Sequence, residues 1–159
     1  MAADAPRVDD LAALNVQIME VPFGDRAGME EIFRIRDEVF VDEQSLTDDA
    51  RHDPDDAASI HYLATLSGAP VGTGRLTLYN REAQIAWVAV RAALRGSGIG
   101  NALMDAMLAR GQASGGTYAL LNAQTHAQPF YDRLGFEPVG GVFHMGGIAH
   151  VVMVKRLGE

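Results

Sequence analysis

Apolar and polar residues follow one another along the chain in an order that predicts a strand, a helix and then three more strands. Residues 16–21, Val-Gln-Ile-Met-Glu-Val, alternate apolar and polar side chains, as expected of a strand with one buried face. Residues 28–43 place apolar side chains at helical spacing with charged residues between them. Apolar runs at 60–66, 71–79 and 83–90 then predict three strands joined by short turns.

The second half of the chain mixes helical and strand patterns. An amphipathic run at 101–110 predicts a helix, and residues 118–123 predict the strand after it. A short helix is expected at 126–134, and two closing strands are expected at 136–143 and 148–154. This order of elements predicts a fold of the α/β (α+β) class.

Length and composition favour one globular unit. The chain has 159 residues, of which 48% are hydrophobic, enough for one domain with a substantial core. Residues 1–15 are rich in Ala and Asp and show weak periodicity, so we expect a flexible N-terminal arm followed by a single domain at 16–159. Residues 1–15 also lack the pattern of a secretory signal, and no apolar run approaches the ~20 residues that span a membrane.

Charge and cysteine content narrow the function classes. The net charge of −8 comes from 13 basic and 21 acidic residues; it disfavours nucleic-acid binding and suits cationic small molecules such as amines. The absence of cysteine excludes disulfides, thiolate metal sites and a cysteine nucleophile. It also fits a cytoplasmic location, which we expect for this chain.

Residues 95–100, Arg-Gly-Ser-Gly-Ile-Gly, carry the clearest chemical signal, because they link a predicted strand to a predicted helix. Gly96, Gly98 and Gly100 have no Cβ, so main-chain N–H groups there can approach a bulky ligand. The helix start adds free N–H donors, and Arg95 adds a full positive charge, which together favour a phosphate group. The pattern lacks the lysine of a P-loop, and its glycine spacing differs from that of a dinucleotide-binding fingerprint.

Two motifs together resemble one enzyme family. Arg-x-x-Gly-x-Gly after a Val-Ala-Val strand end resembles the pyrophosphate loop of the GNAT superfamily of acyl-CoA N-acyltransferases. Residues 127–136, Ala-Gln-Pro-Phe-Tyr-Asp-Arg-Leu-Gly-Phe, resemble the family's Ala-x-x-Phe-Tyr-x-x-x-Gly-Phe segment after the fifth strand. Residues 36–44 and 147–153 are more narrowly similar to the small bacterial ElaA-like or YjcF-like acetyltransferases.

The resemblance implies a mixed central sheet of six to seven strands that splays between strands 4 and 5, with about four flanking helices. It implies acetyl-CoA as cosubstrate and direct attack by an amine, with no metal. The backbone of Val88 and Val90 would pair with the pantetheine arm while Ala89 points the other way, and Asn122 would orient the substrate or a water molecule. The resemblance assigns cofactor binding to Val88, Ala89, Val90, Arg95, Gly96, Ser97, Gly98, Ile99, Gly100, Asn101, Asn122 and Tyr131.

Tyr131 is the expected general acid. In the family this tyrosine lies near the thioester sulfur, where a phenol can protonate the leaving thiolate. The alternative is that Tyr131 only packs, with its hydroxyl turned to solvent. The glycine loop favours the catalytic interpretation.

The general base is left open by the sequence. Many relatives carry a glutamate on the fourth strand, but residues 83–90 contain no carboxylate. Glu43, His126 and His61 are candidates, and water is another; each side chain also has a structural interpretation as a solvated helix-end charge, a helix cap or a hydrogen-bonded strand residue. Two further histidines lie on the closing strands: His144 and His150.

The acidic segment at residues 48–56, Asp-Asp-Ala-Arg-His-Asp-Pro-Asp-Asp, lacks the order of an EF-hand loop, so a solvated acidic loop is expected and no metal is predicted. The segment would also attract a cationic amine. Two other functions stay open: a non-catalytic acyl-CoA-binding sensor and a metal-binding regulator built on this segment. The identity of the amine and the choice between monomer and homodimer also stay open.

Overall fold

One seven-stranded sheet organises the structure, in the order β1-β2-β3-β4-β5-β7-β6. The computed structural model describes residues 15–158, so the predicted arm lies outside the described residues except for Asn15. The strands are β1 (Val16–Val21), β2 (Ile60–Leu66), β3 (Ala69–Tyr79), β4 (Glu82–Val90), β5 (Tyr118–Gln124), β6 (Glu137–Met145) and β7 (Ile148–Arg156). The α-helices are α1 (Arg26–Arg36), α2 (Ile99–Ala113) and α3 (Gln128–Arg133).

The sheet is antiparallel except at its centre. Strands β1 to β4 form an antiparallel meander, and β5 pairs with β7 and β7 with β6 in antiparallel fashion. Strands β4 and β5 are parallel, and their pairing ends at Ile85 and Leu121. Beyond that pair the two strands separate, which confirms the expected mixed sheet splayed between strands 4 and 5.

Two apolar cores cover the two faces of the sheet. The larger core packs α2 on one face, with Leu103, Met104 and Met107 fully buried against the strands. The smaller core packs α1 on the other face, with Ile32 and Ile35 fully buried. We call these the α2 face and the α1 face.

A bulge in β4 decides which of its side chains point to which face. Trp87 has a positive φ of 54°, where the pairing of β3 with β4 shifts register. Before the bulge Ile85 packs in the α2-face core, whereas after it Val88 and Val90 pack there and Ala89 joins the α1-face core. The extra residue breaks the two-residue alternation of a strand, so the β4 end that borders the splay presents its valines to the α2 face.

The predicted helix at 28–43 is present, but only its first part is an α-helix. Asp25 caps α1 by accepting a hydrogen bond from the Gly28 amide at 3.0 Å. The chain then continues as a π-helix at Asp37–Glu43, which we call the π segment. None of the described helices is long and apolar enough to cross a bilayer.

Candidate active site

A cavity of about 520 Å³ opens where β4 and β5 separate. Its walls include Trp87 and Phe40 from the α1 face and Tyr131 from the side of the α2 core. Residues 85–90 of β4 also line it, so the free edge of β4 borders the space. The cavity therefore connects the two faces of the sheet through the splay, and we call it the central cavity.

The start of α2 offers free hydrogen-bond donors beside this cavity. Gly98 is the N-cap residue in left-handed conformation, with φ of 91°, and no side chain caps the helix. Within the described residues the main-chain amides of Gly98, Ile99, Gly100 and Asn101 have no acceptor, because the first bond of the helix runs from Ala102 to the Gly98 carbonyl at 3.0 Å. Uncapped amides at a helix start are suited to a phosphate group.

Ser97 contributes to the turn instead of offering a donor. Its main-chain amide donates to the Leu94 carbonyl at 3.3 Å, and its hydroxyl donates to the same oxygen. The side chain is 3% exposed. Among the predicted phosphate-binding residues 95–101, the main-chain amides of Ser97 and Arg95 are already satisfied, the latter by the Ala92 carbonyl at 3.3 Å, because the short turn before them closes on these groups.

Arg95 and Glu43 form an ion pair, although the sequence analysis gave them separate roles. Arg95 Nη2 donates to the Glu43 carboxylate, and Arg95 Nε donates to the Val90 carbonyl at 3.0 Å. The Arg95 side chain lines the central cavity, whereas Glu43 is not among the lining residues. The predicted base candidate therefore faces an arginine and not the cavity.

Tyr131 lies on α3, packed edge-on against Phe130 at 5.0 Å and Phe136 at 5.9 Å between ring centroids. It lines the central cavity, and its hydroxyl makes no hydrogen bond to any described residue. Burial raises the pKa of Tyr131 to about 12. The phenol therefore keeps its proton at neutral pH, as a general acid must.

The remaining predicted residues divide between cavity and core. His126 lies in a short 3₁₀ turn, Thr125–Ala127, and lines the cavity together with Asn122. His61 is fully buried and does not line the cavity. In residues 15–158 no group of three or more His, Cys, Asp or Glu side chains is placed to hold a metal ion.

Residues 21–157 match the family model of the GNAT acetyltransferase domain. The chain belongs to the GNAT acetyltransferase family. It is 30% identical over 128 residues to the uncharacterised N-acetyltransferase YjcF of Bacillus subtilis (strain 168), a match that covers 80% of this chain and 91% of YjcF. This confirms the resemblance drawn from the two motifs.

Solved structures agree with the family match. Escherichia coli ElaA is 26% identical with a TM-score of 0.78, covering 88% of this chain and 99% of ElaA. An acyl-CoA N-acyltransferase from Pseudomonas aeruginosa is 27% identical with a TM-score of 0.77, covering 89% of this chain and 99% of that one. The chain is thus an acyl-CoA-dependent N-acetyltransferase, and the expected enzyme class is confirmed.

This GNAT enzyme also contains a buried ionic network that the sequence analysis missed. Asp56 is 1% exposed and accepts hydrogen bonds from Arg36 at 2.8 and 3.2 Å and from Arg75 at 3.1 Å. Arg75 also contacts Asp53 at 2.8 Å, and Asp53 accepts from Trp87 Nε1 at 2.9 Å. The expectation of a solvated acidic loop is therefore wrong for Asp53 and Asp56.

The network holds the β4 bulge in place. The Arg36 guanidinium lies 5.0 Å from the Trp87 ring centroid, and Asp53 holds the indole N–H. A sequence signal for this network exists, because Arg36 follows Ile32 and Ile35 on the apolar stripe of α1, where a charge needs a buried partner.

His61 belongs to the same network and has a structural role. Its Nε2 donates to the Asp56 carbonyl at 2.8 Å, so the neutral ring accepts at Nδ1, which lies 3.5 Å from Arg36 Nη2. Burial, and after it the Arg36 charge, lowers the pKa of His61. A second proton on the ring would sit on Nδ1 and bring a positive charge next to the positively charged Arg36 guanidinium.

We expect this enzyme to lose stability on acidification through His61. Because the pKa of His61 is lower in the folded protein than in the unfolded chain, the unfolded chain binds more protons on acidification. The contribution of neutral His61 to the free energy of unfolding is therefore complete above about pH 6.5 and is lost as the pH falls toward the folded pKa. His61→Gln keeps a donor and an acceptor but cannot titrate. In urea unfolding at pH values from 7.5 down to 5.5, the free energy of unfolding should fall less steeply for the variant than for the wild-type protein, by up to about 1.4 kcal/mol per pH unit. Equal slopes for the two proteins would contradict this assignment.

Proposed function

We propose that this enzyme transfers an acetyl group from acetyl-CoA to a primary amine by direct attack in a ternary complex, with Tyr131 as the general acid. The observation that carries the proposal is the uncapped start of α2 beside a cavity lined by a protonated phenol. The first feature fits the diphosphate of the cosubstrate, and the second fits its leaving thiolate.

The cosubstrate would lie along residues that the structure leaves unpaired. The amides of Gly96 and of residues 98–101 would hold the diphosphate, with Arg95 adding charge. The acyl-pantetheine arm would pair with the free edge of β4 at Val88 and Val90, as an added strand does, while Ala89 points to the α1 face. Asn122 would orient the acceptor or a water molecule from the opposite wall.

The chemistry needs no covalent enzyme intermediate. A neutral amine attacks the thioester carbonyl, a C–N bond forms, and the negative charge on oxygen is stabilised by a main-chain N–H near Val88. The C–S bond then breaks, and Tyr131 protonates the thiolate. A pKa of about 12 keeps the phenol protonated until the thiolate forms.

Glu43 and His126 stay predicted candidates for moving the amine proton. The contact of Glu43 with Arg95 supports a positioning role for that carboxylate, whereas His126 lines the cavity. An acidic protein suits a cationic acceptor. We further propose a cytoplasmic location, one catalytic domain at 16–159, and a monomer or homodimer.

The cosubstrate site is tested with one glycine variant of the loop and one glycine control outside it. Gly98→Ala places a side chain at φ of 91°, which costs about 1–2 kcal/mol, so the loop shifts and we expect the Kd for CoA to rise about tenfold. Gly115→Ala is the matched control, because Gly115 has a similar φ of 89° and open space for a Cβ but lies beyond the other end of α2. Its Kd should stay within about twofold of the wild-type value.

Calorimetric titration measures the Kd for CoA of both variants, and the rise in Tm on adding CoA measures the stabilisation by the bound ligand. A saturating ligand at about 100 times its Kd stabilises the native protein by about 2.7 kcal/mol. Pantetheine, which lacks the nucleotide and diphosphate, should give a much smaller shift than CoA. Equal shifts from pantetheine and CoA would reject the phosphate site, and CoA binding without turnover of any amine would favour the sensor.

A further inference from the structure

The acceptor amine must reach the thioester from the α1 face, because the α2 start and Tyr131 occupy the other side of the splay. This inference rests on the proposed function. On β5 the alternate residues Leu121 and Ala123 point to the α2-face core, which leaves Asn122 on the α1-face side. The polar cavity-lining side chains on the α1-face side are Gln44, Asp48, Asp53, Arg75, Asn122, Gln124 and His150. Each of them is a candidate contact for the acceptor.

Most of these side chains already have partners within the protein. Asp53 and Arg75 belong to the ionic network, and Gln124 Nε2 donates to Gln44 Oε1 at 2.7 Å. Three side chains keep unused hydrogen-bonding groups. Asn122 makes no side-chain hydrogen bond to any described residue, but a carboxamide carries no charge to pair with an ammonium and does not take its proton. Asp48 is exposed and forms no ion pair with any described residue, and His150 has one ring nitrogen unused.

His150 is held in a single orientation and tautomer. It lies on β7 opposite Gln124, is 4% exposed, and stacks on Phe143 at 5.9 Å between ring centroids. Its Nδ1 lies 2.6 Å from the Ile148 carbonyl oxygen. A carbonyl can only accept, so Nδ1 carries the proton and the neutral ring keeps its lone pair on Nε2.

Nε2 is the ring nitrogen that His150, a cavity-lining residue, leaves without a hydrogen-bond partner among the described residues. Among residues 15–158, the side-chain nitrogen and oxygen atoms that are both fully buried and without a hydrogen-bond partner are Arg36 Nε and Arg75 Nε. His150 Nε2 also has no partner in this part of the chain but is not one of them, so this atom is not fully buried. A fixed imidazole with an anchored Nδ1–H and an open Nε2 is the arrangement of a general base.

We propose that Asp48 holds the acceptor ammonium at the cavity mouth and that His150 Nε2 takes its first proton. The neutral amine then forms the C–N bond, the C–S bond breaks, and the thiolate takes the Tyr131 proton. The second amine proton replaces the one that Tyr131 gave, and the His150 proton leaves to solvent. The reaction therefore converts an ammonium and a thioester into an amide, a thiol and one released proton.

The test is His150→Gln, which keeps a polar side chain but cannot act as a base. Initial rates are measured with acetyl-CoA and cationic primary amines across pH 6–9. We expect kcat/KM for the amine to fall about 10²-fold with loss of the acidic limb of the pH profile. For trifluoroethylamine, which is largely unprotonated at neutral pH, kcat/KM should fall much less. The Kd for CoA should not change.

His144→Gln is the matched control, since that histidine lies on neighbouring β6, is exposed and does not line the cavity. The titratable groups that share the cavity with His150 are Asp48, Asp53, Arg75, Arg95, His126 and Tyr131. Loss of the acidic limb in His126→Gln instead of His150→Gln would assign the proton to His126 and overturn the inference. An unchanged profile in His150→Gln would also overturn it.

Asp48→Asn is a second variant that keeps the test decisive if His150→Gln fails to fold, because Asp48 is exposed. We expect KM for cationic amines to rise several-fold at low ionic strength and to stay unchanged for trifluoroethylamine. An equal change in KM for both amine types, or no change for either, would overturn the anchoring role. Turnover by the wild-type protein in the same assays separates these outcomes from failure of the proposed function.

Discussion

Tyr131→Phe is expected to lower kcat by about 10²–10⁴-fold, the usual contribution of a positioned acid. The substitution removes one hydroxyl and keeps the ring, so the packing on Phe130 and Phe136 persists. The thiolate would then leave without a proton donor. The expected signature is a loss in kcat with little change in the Kd for CoA, because the hydroxyl acts only as the C–S bond breaks.

Steady-state rates with saturating acetyl-CoA and one amine, together with calorimetry of CoA, measure both quantities. Tyr79→Phe is the matched control, since Tyr79 is 65% exposed and lies outside the central cavity. A Tyr131→Phe enzyme with at least a third of the wild-type kcat would show that Tyr131 only packs. A large loss of CoA affinity with normal kcat would instead assign it to cosubstrate binding.

Asp56→Asn is expected to destabilise the protein by about 3–5 kcal/mol, the cost of breaking a buried ion pair by removing one partner. Asp56 accepts from both Arg36 and Arg75, and the Arg36 side chain is fully buried. Without this carboxylate, two guanidinium groups stay in the interior with Asp53 as the remaining nearby anion of the network. The loss is a large part of the 5–15 kcal/mol that stabilises a typical domain.

Equilibrium unfolding in urea at pH 7.5 measures the change in free energy. Asp42→Asn is the control, because Asp42 is exposed and its side chain has no hydrogen bond or ion pair among the described residues. A loss below about 1 kcal/mol would place Asp56 among ordinary surface charges. Because the network also holds Trp87, the variant that still folds should show altered indole fluorescence.

Contacts between distant residues explain which parts of the site the sequence analysis missed. Arg95 and Glu43 are 52 positions apart. The sequence predicts a phosphate-binding charge for Arg95 and a candidate base for Glu43, and only the folded structure shows that the two side chains form an ion pair. Asp56 and Arg36 are 20 positions apart; the sequence predicts a solvated loop for the segment that contains Asp56 and names no partner for Arg36. His150 was one of several strand histidines with nothing to distinguish it.

Local sequence was sufficient where one continuous segment carries a whole structural feature. Residues 95–101 place glycines, a turn and a helix start in one continuous stretch, and the helix leaves its first amides free by its own geometry. Residues 127–136 likewise predicted α3 and a Tyr131 side chain at the cavity, whereas the role of Tyr131 as general acid stays a prediction. The order of strands and helices followed from periodicity, since each element buries one face.

Tertiary packing alone decided the bulge at Trp87, the end of pairing between β4 and β5, and the partners of each charged group. A bulge depends on the register of two strands, and a cavity depends on where two strands separate; neither is encoded in one segment. Buried charges select partners by distance in the folded chain, where the low dielectric makes an unpaired charge costly. For this reason the motifs predict the enzyme class, whereas the acceptor side of the cavity is defined by the fold.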